Sequence, residues 1–550
     1  MLKGRIQNKP LLIAEFIKFA SEHYGSREIV SRIIEDGSIH RYTYREAHRR
    51  SKQLAKALLG LGIKPGDRVA TMAWNTFRHF ECFYGISGIE AVLHTVNPRL
   101  FEEQIIYIMN HAEDRFVFVD LTFIPLLETL WEKLETIEKI IVMTDRDHMP
   151  ETALPNLVCY EDLLAGYDDD FEWPLFDEWA ASSLCYTSGT TGNPKGVLYA
   201  HRSTYLHALG AAQLGAFGIS AFENVMPIAP MYHANAWAFP YIAPMCGAKF
   251  TLPGADMSSP ALHQLIESEK VTFAAAVPTV WTQLFDYLEQ TGLKVEPLKR
   301  TVIAGSAVPR SMMQTFKEKY GVQVLQLWGM TEMSPVGTCS NSTPEVEALP
   351  DEERASVLEK QGRLVFGVEA KIIGPDGELL PHDGIAFGDL WVRGPWIANG
   401  YFKDESGQML DDEGWFPTGD VATMDPYGYI KITDRTKDVI KSGGEWISSI
   451  ELETLAVAHP KVSEAAVVGV YHKKWEERPL LIVVLANDAE GLENEIKKDI
   501  LETCLVGKVA KWWLPDDIVF RDAMPMTATG KIRKLTLREE YKDYLAKSSE

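Results

Sequence analysis

The segment Tyr186–Gly196, which reads Tyr-Thr-Ser-Gly-Thr-Thr-Gly-Asn-Pro-Lys-Gly, has the composition of a loop that binds phosphate. Glycines let the backbone turn so that successive N–H groups point into one concavity, and the hydroxyls and the lysine add donors and positive charge. The Walker pattern is excluded, because it needs Gly-Lys-Ser/Thr five residues after its first glycine and Pro194 stands there. A flexible glycine–threonine surface loop is the alternative. We predict a polyphosphate site.

Two further segments supply groups that suit the rest of a nucleotide. In Gln326–Glu332, Trp328 offers a flat ring for a purine, and Glu332 offers a carboxylate for the Mg²⁺ that accompanies ATP. In Trp415–Asp420, the aspartate follows a glycine turn and suits a pair of ribose hydroxyls. Taken singly, a core tryptophan beside a surface acid and an ordinary turn aspartate are the alternatives.

Two charged segments lie towards the C-terminal end. Asp434–Trp446 carries several charges followed by Gly443 and Gly444, and a solvated charge run is its ordinary explanation. Met526–Lys534 holds Lys531 on a glycine turn. The residue types alone do not decide what these two segments do.

Composition limits the class of protein. A chain of 550 residues is too long for a single core, so two or more domains are expected. The net charge of −22 argues against nucleic acid or an anionic membrane as a partner, although local glycines and lysines can still hold ATP. The 6 cysteines form no Cys-x-x-Cys motif, and neither a signal peptide nor a long apolar span is found. We therefore expect no zinc site, no disulfide framework, no integral membrane contact and a cytoplasmic location.

The order of the elements predicts an α/β fold. Residues 42–61 have the periodicity of an amphipathic helix, and Asp67–Trp74 has the pattern of a buried strand. Strands and helices alternate to about residue 340, which predicts mainly parallel sheets covered by helices. After Gly362 a β-rich subdomain follows, and beyond Arg435 a small α+β domain. The predicted large N-terminal domain, its β-rich subdomain and the C-terminal domain span residues 1–435, about 362–435 and 436–550.

The five segments, in this order and at these intervals, resemble the motifs of the adenylate-forming enzymes: acyl-CoA synthetases, luciferases and nonribosomal adenylation domains. The resemblance extends over about residues 10–545. Within that superfamily the local sequence is most similar to bacterial medium- and long-chain fatty acyl-CoA synthetases and to 3-methylthiopropionate–CoA ligases. The segments that carry this closer similarity are Leu93–Arg99, Met231–Trp237, Val277–Trp281 and Lys441–Ser448.

The resemblance implies an enzyme, an AMP-forming acid–thiol ligase. A carboxylate would attack the α-phosphorus of ATP to give acyl-AMP and pyrophosphate, and CoA would then take the acyl group and release AMP. Residues 1–435 would bind ATP and the acyl group, while 436–550 would be a mobile domain with the catalytic lysine and the CoA tunnel. The implied partners are a carboxylic acid, ATP, CoA, the cofactor Mg²⁺ and a second copy of the chain in a homodimer.

The resemblance also assigns roles to residues. The implied catalytic residues are Lys531, His233, Glu332 and Thr187, and the implied Mg²⁺ ligands are Thr187 and Glu332. The residues implied to bind ATP are Thr187, Ser188, Gly189, Thr190, Thr191, Gly192, Lys195, Gly305, Ser306, Ala307, Gln326, Trp328, Gly329, Met330, Thr331, Asp420, Arg435 and Lys531. Among them, Trp328 with Gly305, Ser306 and Ala307 would form the adenine slot, and Asp420 with Arg435 would bind the ribose. The implied hinge between the two domains is Lys437. The residues implied to bind CoA are Lys441, Gly443, Gly444 and Trp446. Those implied to bind the acyl group are His233, Trp237, Ala276, Ala304 and Gly305, with Trp237 as a gate over the acyl tunnel.

The length of the acyl chain depends on Ala276 and Ala304. These positions are often glycine in the resembling proteins, and each added methyl would shorten a slot that backbone lines. We therefore predict a short- to medium-chain fatty acid, with 3-methylthiopropionate or a long-chain fatty acid as alternatives. A ligase that loads a carrier protein, a luciferase-type oxygenase and a non-catalytic relative are further rivals. A non-catalytic relative should have lost Lys531 or Glu332, and this sequence has both.

Overall fold

The computed structural model describes the chain except for residues 1, 3, 188–192, 405, 406, 408, 444, 487–490, 527–531 and 546–550. Apart from these, the chain forms two compact units. The first consists of Met1–Thr187, Asn193–Glu369 and Arg393–Phe416, and the second of Ala370–Val392 and Pro417–Glu550.

The strands of the first unit, in chain order, are β1 (Glu28–Arg32), β2 (Ile39–Thr43), β3 (Arg68–Met72), β4 (Val92–Thr95), β5 (Asp114–Val119), β6 (Lys139–Val142), β7 (Leu157–Cys159), β8 (Ala181–Tyr186), β9 (Gly196–Ala200), β10 (Asn224–Pro227), β11 (Lys249–Leu252), β12 (Phe273–Ala276), β13 (Arg300–Ile303), β14 (Gln323–Gly329), β15 (Val336–Cys339) and β16 (Gly362–Leu364).

Its helices are α1 (Ala14–His23), α2 (Tyr44–Gly60), α3 (Phe77–Gly85), α4 (Glu102–Ala112), α5 (Ile124–Leu130), α6 (Tyr160–Ala165), α7 (His201–Ala212), α8 (Ala234–Trp237), α9 (Phe239–Cys246), α10 (Ser259–Glu269), α11 (Pro278–Thr291), α12 (Arg310–Gln314), α13 (Pro344–Glu347) and α14 (Asp351–Leu358).

Two sheets organise the first unit. One is 7-stranded, in the order β7-β6-β5-β3-β4-β8-β9, and the other runs β16-β15-β14-β13-β12-β10-β11-β1-β2. Most neighbours are parallel, whereas β9, β15, β16 and β2 run antiparallel to the strands beside them. Helices α10 and α11 pack on strands β12 and β13 in one buried apolar cluster. The predicted α/β fold with helix-covered, mainly parallel sheets is confirmed, and its parallel strands place their carboxyl ends at shared sheet edges.

Helix α2 shows how local sequence sets an element boundary. The Thr43 hydroxyl accepts a hydrogen bond from the Glu46 N–H at 3.3 Å, and the Glu46 carboxylate accepts one from the Thr43 N–H at 2.8 Å. Such a capping box stabilises a helix start by about 1 kcal/mol. The helix predicted at 42–61 begins at Tyr44 instead, because Tyr42 and Thr43 pair with β1. Its buried face contains Ala47, Leu54, Ala55 and Leu58, as the amphipathic periodicity requires.

The second unit is richer in antiparallel pairing. Its strands are β17 (Glu369–Ile373), β18 (Gly388–Arg393), β19 (Phe416–Met424), β20 (Tyr429–Arg435), β21 (Ile440–Ser442), β22 (Glu445–Ile447), β23 (Val462–His472), β24 (Glu476–Leu485) and β25 (Asp517–Phe520), and its helices are α15 (Ser449–Val457), α16 (Glu493–Asp499) and α17 (Lys534–Glu540). Strands β17 to β20 are neighbours in sequence order, and β21 to β25 form a separate 5-stranded sheet. Residues 370–392 and 417–435 pack with the C-terminal part, so the domain boundary after Arg435 stays a prediction.

None of the helices in the described part of the chain combines the length and the apolar character that crossing a bilayer requires.

Buried histidines make the first unit sensitive to acid. His79 is fully buried, with Nδ1 3.0 Å from the Trp74 carbonyl oxygen and Nε2 3.0 Å from the Thr71 hydroxyl. Burial lowers the pKa of His79 to about 4. The residues whose pKa burial lowers in the same way are His48, to about 4, and His201 and His207, to about 3.

We expect the contribution of these imidazoles to the free energy of unfolding to fall as the pH drops from about 6.5 towards about 4. In that window the unfolded chain takes up protons on these imidazoles and the folded chain does not, so each contributes a loss of about 2 kcal/mol by pH ~5. Urea denaturation near neutral pH and at pH ~5 measures the difference in the free energy of unfolding between the two conditions. His79→Gln should remove about one histidine's share of that difference. An unchanged difference would contradict the assignment of His79 as a neutral buried imidazole.

Candidate active site

The two ends of the predicted phosphate loop hold each other. Strand β8 ends at Tyr186, which pairs with Gly196 at the start of β9. The Thr187 N–H donates to the Lys195 carbonyl oxygen at 2.9 Å, and the Lys195 N–H donates to the Thr187 hydroxyl at 3.1 Å. We call this pair of bonds the clasp. It fixes the loop's two described ends, while Ser188, Gly189, Thr190, Thr191 and Gly192 lie outside the described residues.

Glu332 lies in a turn of 3-10 helix, Thr331–Met333, directly after β14. Its side chain is buried, and its Oε1 accepts a hydrogen bond from the Tyr401 hydroxyl at 2.7 Å. The Tyr199 hydroxyl, on β9, donates to the Thr331 carbonyl oxygen at 2.6 Å. The Lys195 ammonium lies 4.6 Å from the centroid of the Tyr401 ring. The structure therefore brings the predicted phosphate-binding lysine and the predicted metal-binding carboxylate to one place, where Tyr401 contacts both.

The donor set of Thr187 and Glu332 fits Mg²⁺. A hydroxyl and a carboxylate are the hard oxygen ligands that this ion prefers, and Mg²⁺ usually binds through one or two carboxylates together with substrate phosphates. In the described part of the chain, no cluster of three or more His, Cys, Asp or Glu side chains could hold a metal by itself. The set thus suits an ion that arrives with a polyphosphate, and its role as the Mg²⁺ site stays a prediction.

The predicted adenine slot lies at the carboxyl ends of β13 and β14. Gly305, Ser306 and Ala307 follow β13 and are exposed. Gly305 has φ +91°, and a Cβ there would lie 3.1 Å from the Val277 Cγ1 atom. A larger residue would therefore be strained both by its backbone conformation and by this close contact. Trp328 is buried in β14, and Gly329, Met330 and Thr331 continue from it to Glu332.

The side chain of Gln326 makes a hydrogen bond that stabilises the fold. It is buried in β14, and its amide nitrogen donates to the Glu359 carbonyl oxygen at 2.7 Å. That donor is directed at the protein, so a contact of Gln326 with ATP would use its other atoms.

The predicted gate tryptophan stands on an unusual left-handed turn. The residues Ala234, Asn235, Ala236, Trp237 and Ala238 all have positive φ, from 43° to 70°, although none is glycine, so the short element α8 is left-handed and is not an ordinary α-helix. L-residues avoid this region at a cost of about 1–2 kcal/mol each, so other contacts must hold the turn. The Asn235 amide donates to the Ser183 hydroxyl at 3.0 Å, and the Cys185 thiol donates to its oxygen at 3.5 Å. Asn235 thus ties the turn to the strand that leads into the phosphate loop.

The other predicted acyl residues lie nearby in the sheet order. His233 is half-buried directly before the turn, which follows β10. Ala276 ends β12 beside Ile303, and Ala304 follows Ile303 at the end of β13. Both alanines are buried, and Ala276 packs in a cluster with Trp281 and Ile303. Strand β12 lies between β10 and β13, so these residues share one sheet edge.

In the second unit the two predicted ribose residues meet directly. Asp420 on β19 is the register partner of Arg435 on β20, and the Arg435 Nε lies 2.8 Å from the Asp420 Oδ1 atom. Asp420 is buried, whereas Arg435 is exposed. The pair therefore presents a fixed carboxylate beside a guanidinium that solvent can reach.

The predicted hinge lies in a turn that the C-terminal helix α17 contacts. The Lys437 carbonyl oxygen accepts a hydrogen bond from Arg538 at 2.7 Å, and Arg538 also pairs with Asp438. The Lys534 ammonium donates to the Ser449 hydroxyl at 2.7 Å and lies 2.6 Å from the Glu453 carboxylate. Lys531 lies outside the described residues, and the tail that follows it is anchored by these ion pairs.

The predicted CoA residues lie on the β21–β22 hairpin. Lys441 and Trp446 are register partners across it. Gly443 has φ +63°, and a Cβ there would lie 2.7 Å from the Trp475 ring, so both conformation and space require glycine. Gly444 lies outside the described residues.

Sequence reasoning missed three residues of the first unit: Tyr199, Asn235 and Tyr401. Asn235 lies inside Met231–Trp237, and a polar amide among apolar neighbours there was the available signal. Tyr199 and Tyr401 stand in ordinary strand and turn sequence. Only their partners, more than sixty residues away along the chain, reveal them.

Comparison with known proteins supplies the family. A profile described as "AMP-binding enzyme" matches residues 18–402, and one described as "AMP-binding enzyme C-terminal domain" matches residues 451–531. The chain belongs to the AMP-binding enzyme family.

Relatives of this AMP-binding enzyme match it along nearly their whole lengths. It is 50% identical to the 3-methylmercaptopropionyl-CoA ligase of Ruegeria lacuscaerulensis, covering 98% of this chain and 99% of that protein. It is 45% identical to the medium-chain-fatty-acid–CoA ligase of Ectopseudomonas oleovorans, with 99% of both covered. It is 42% identical to the long-chain-fatty-acid–CoA ligase of Thermus thermophilus, with 98% and 97% covered.

Among solved structures, the anthranilate CoA ligase AuaEII in complex with anthranoyl-AMP has a TM-score of 0.80 at 24% identity, covering 96% of this chain and 98% of that one. This likeness supports the fold. The predicted family, the fold class with its small C-terminal domain, and the enzyme class, an AMP-forming acid–thiol ligase, are confirmed. The roles of individual residues stay predictions.

We expect Asn235→Ala to lower the free energy of unfolding by about 1–3 kcal/mol, because buried polar groups of Ser183 and Cys185 lose their partner. The left-handed turn would then relax and shift Trp237, so the KM for the acid should rise more than the KM for ATP. Urea denaturation and steady-state kinetics measure the two effects. Unchanged stability together with an unchanged KM for the acid would show that Asn235 does not hold the turn.

Proposed function

We propose that this AMP-binding enzyme is an ATP-dependent carboxylate–CoA ligase that activates a short- to medium-chain fatty acid through acyl-AMP and transfers it to CoA. The observation that carries this proposal is the position of Lys195 and Glu332 beside the clasped ends of the phosphate loop. The predicted adenine and acyl residues support it, because they lie at the carboxyl ends of neighbouring strands, where α/β sheets bind ligands.

The first half-reaction joins two anions, so catalysis consists mainly of charge neutralisation and alignment. We assign Thr187 to Lys195 to the β- and γ-phosphates, and Asp420 with Arg435 to the ribose. Lys531 would bridge the substrate carboxylate and the α-phosphate, where negative charge builds up. Mg²⁺, held by Thr187 and Glu332, would supply further positive charge at the phosphates.

The second half-reaction needs a different set of residues. CoA's thiol attacks the acyl carbonyl and AMP leaves, so a lysine at the α-phosphate is no longer required. We propose that residues 436–550 then rotate about Lys437, and that Gly443, Gly444 and Trp446 line the route of the pantetheine arm. The homodimer and the cytoplasmic location stay proposals of the same kind.

The predicted chain length of the substrate rests on two buried methyl groups. Ala276 ends β12 and pairs with Ile303, the last residue of β13, and Ala304 follows Ile303. Strand β12 lies next to β10, which leads to Trp237. A floor made of these methyls favours short or medium chains. A second candidate is 3-methylthiopropionate, because a relative named 3-methylmercaptopropionyl-CoA ligase is 50% identical. Pyrophosphate exchange with linear acids of increasing length, 3-methylthiopropionate and aryl acids decides between them. A preference for aryl acids would contradict both.

Lys531→Ala tests the division between the half-reactions. It should reduce acyl-AMP formation by roughly two orders of magnitude or more, because a donor at the developing charge is lost. It should still convert supplied acyl-AMP and CoA to thioester at a near-normal rate. Lys542→Ala, an exposed lysine of the same tail, is the control for a change of charge alone. An equal loss of both steps would contradict the assignment.

Changing both Ala276 and Ala304 to glycine tests the acyl floor. Each further methylene that fits into a deepened slot contributes about 0.8 kcal/mol, so kcat/KM should rise about three- to fourfold per added carbon until the new floor is reached. The shortest acids should change little. Ala274→Gly removes a methyl from the same buried cluster two residues before the strand end, and it controls for lost packing. A chain-length profile that equals that of Ala274→Gly would place the two alanines away from the acyl group.

A further inference from the structure

The segment Ala398–Lys403, which we call the brace, joins the phosphate loop to the turn that carries Glu332. The Phe402 N–H donates to the Gly196 carbonyl oxygen at 2.8 Å, directly after Lys195. The Ala398 N–H donates to the Glu332 carbonyl oxygen at 2.8 Å. Both elements therefore take their relative position from the backbone of one short segment.

Tyr401 is the member of the brace whose side chain reaches both charged groups. Its hydroxyl donates to the Glu332 Oε1 at 2.7 Å, and its ring centroid lies 4.6 Å from the Lys195 ammonium. An ionised carboxylate has no proton to donate, so the phenol is the donor of this hydrogen bond.

The Tyr401 ring also affects the interaction between the Lys195 ammonium and the Glu332 carboxylate. Within the described residues, no ion pair of 4.0 Å or less joins Lys195 to Glu332. A direct pair would neutralise both groups and turn them away from a ligand, whereas the π face of a tyrosine attracts an ammonium more weakly than a carboxylate does. Lys195, which is exposed, therefore stays near Glu332 while its charge remains accessible.

We propose that Tyr401 is a positioning residue of the phosphate end of the site: its hydroxyl orients the Glu332 carboxylate, and its ring holds the Lys195 ammonium apart from that carboxylate. This inference rests on the proposed function. It assigns two separable tasks to one side chain, and each task belongs to a different part of that side chain.

Two substitutions separate the tasks. Tyr401→Phe keeps the ring and removes the hydroxyl, so it should raise the Mg²⁺ concentration needed for half-maximal pyrophosphate exchange about tenfold, and leave the KM for ATP at saturating Mg²⁺ nearly unchanged. Tyr401→Leu also removes the ring, so it should raise that KM in addition. Mn²⁺ binding with α,β-methylene-ATP, followed by the paramagnetic resonance of free Mn²⁺, gives a readout that does not depend on turnover. The affinity for Mn²⁺ should fall by the same factor, about tenfold, in Tyr401→Phe.

Tyr199→Phe is the matched control, because it removes a hydrogen bond to the backbone of Thr331, the neighbour of Glu332, without touching the carboxylate. It should leave the affinity for Mn²⁺ within about twofold of the wild type. Equal weakening in Tyr199→Phe and Tyr401→Phe would overturn the inference in favour of general loosening, and so would unchanged Mn²⁺ affinity in Tyr401→Phe. A wild type without metal-dependent pyrophosphate exchange would instead refute the proposed function itself.

Discussion

The clasp between Thr187 and Lys195 is the interaction on which the proposed site depends. It closes the connection between β8 and β9, so that a loop rich in glycine and threonine starts and ends at fixed points. Without it, the lysine would be one exposed side chain among many on an acidic protein. With it, the lysine lies over the ring of Tyr401, whose hydroxyl binds Glu332, and a polyphosphate there would meet both a cation and the predicted metal-binding carboxylate.

The sheets explain why residues so far apart in sequence meet. In a parallel sheet the carboxyl ends of neighbouring strands share one edge, and β10, β12, β13 and β14 are neighbours in the first unit. Ala276, Gly305 and Glu332 lie at or just after the ends of β12, β13 and β14, and the left-handed turn at 234–238 is in the connection that follows β10. The hydroxyl of the buried Tyr199 then connects this edge to β9, which belongs to the other sheet. The acyl and nucleotide parts of the proposed site are thereby held by elements with little freedom to move.

Much of this arrangement could be predicted from the sequence where local rules decide it. Periodicity and turn residues predict the helix α2, the short strands β12 and β13, and the β-rich segment after Gly362. The pairing of Asp420 with Arg435 does not follow from their spacing along the chain, although the family resemblance implies the same ribose for both. The strand register shows that these two residues can act together.

The remainder could not be predicted because it arises from contacts distant in sequence. Nothing local distinguishes Tyr401 from other tyrosines, since its role depends on Glu332 and Lys195, far away along the chain. The side chain of Gln326 is directed to the Glu359 carbonyl, which a motif cannot show. Five successive non-glycine residues with positive φ contradict local preference, and the buried Asn235 contacts explain how tertiary structure overrides it.

We propose above all that a carboxylate attacks the α-phosphorus of ATP at this site. Turnover with an acid labelled with ¹⁸O in both carboxylate oxygens, followed by mass spectrometry of the products, tests this attack directly. We expect one ¹⁸O atom in AMP and none in pyrophosphate, because the bridging oxygen of acyl-AMP stays with AMP when CoA attacks. Label in pyrophosphate or orthophosphate, with unlabelled AMP or ADP, would contradict it.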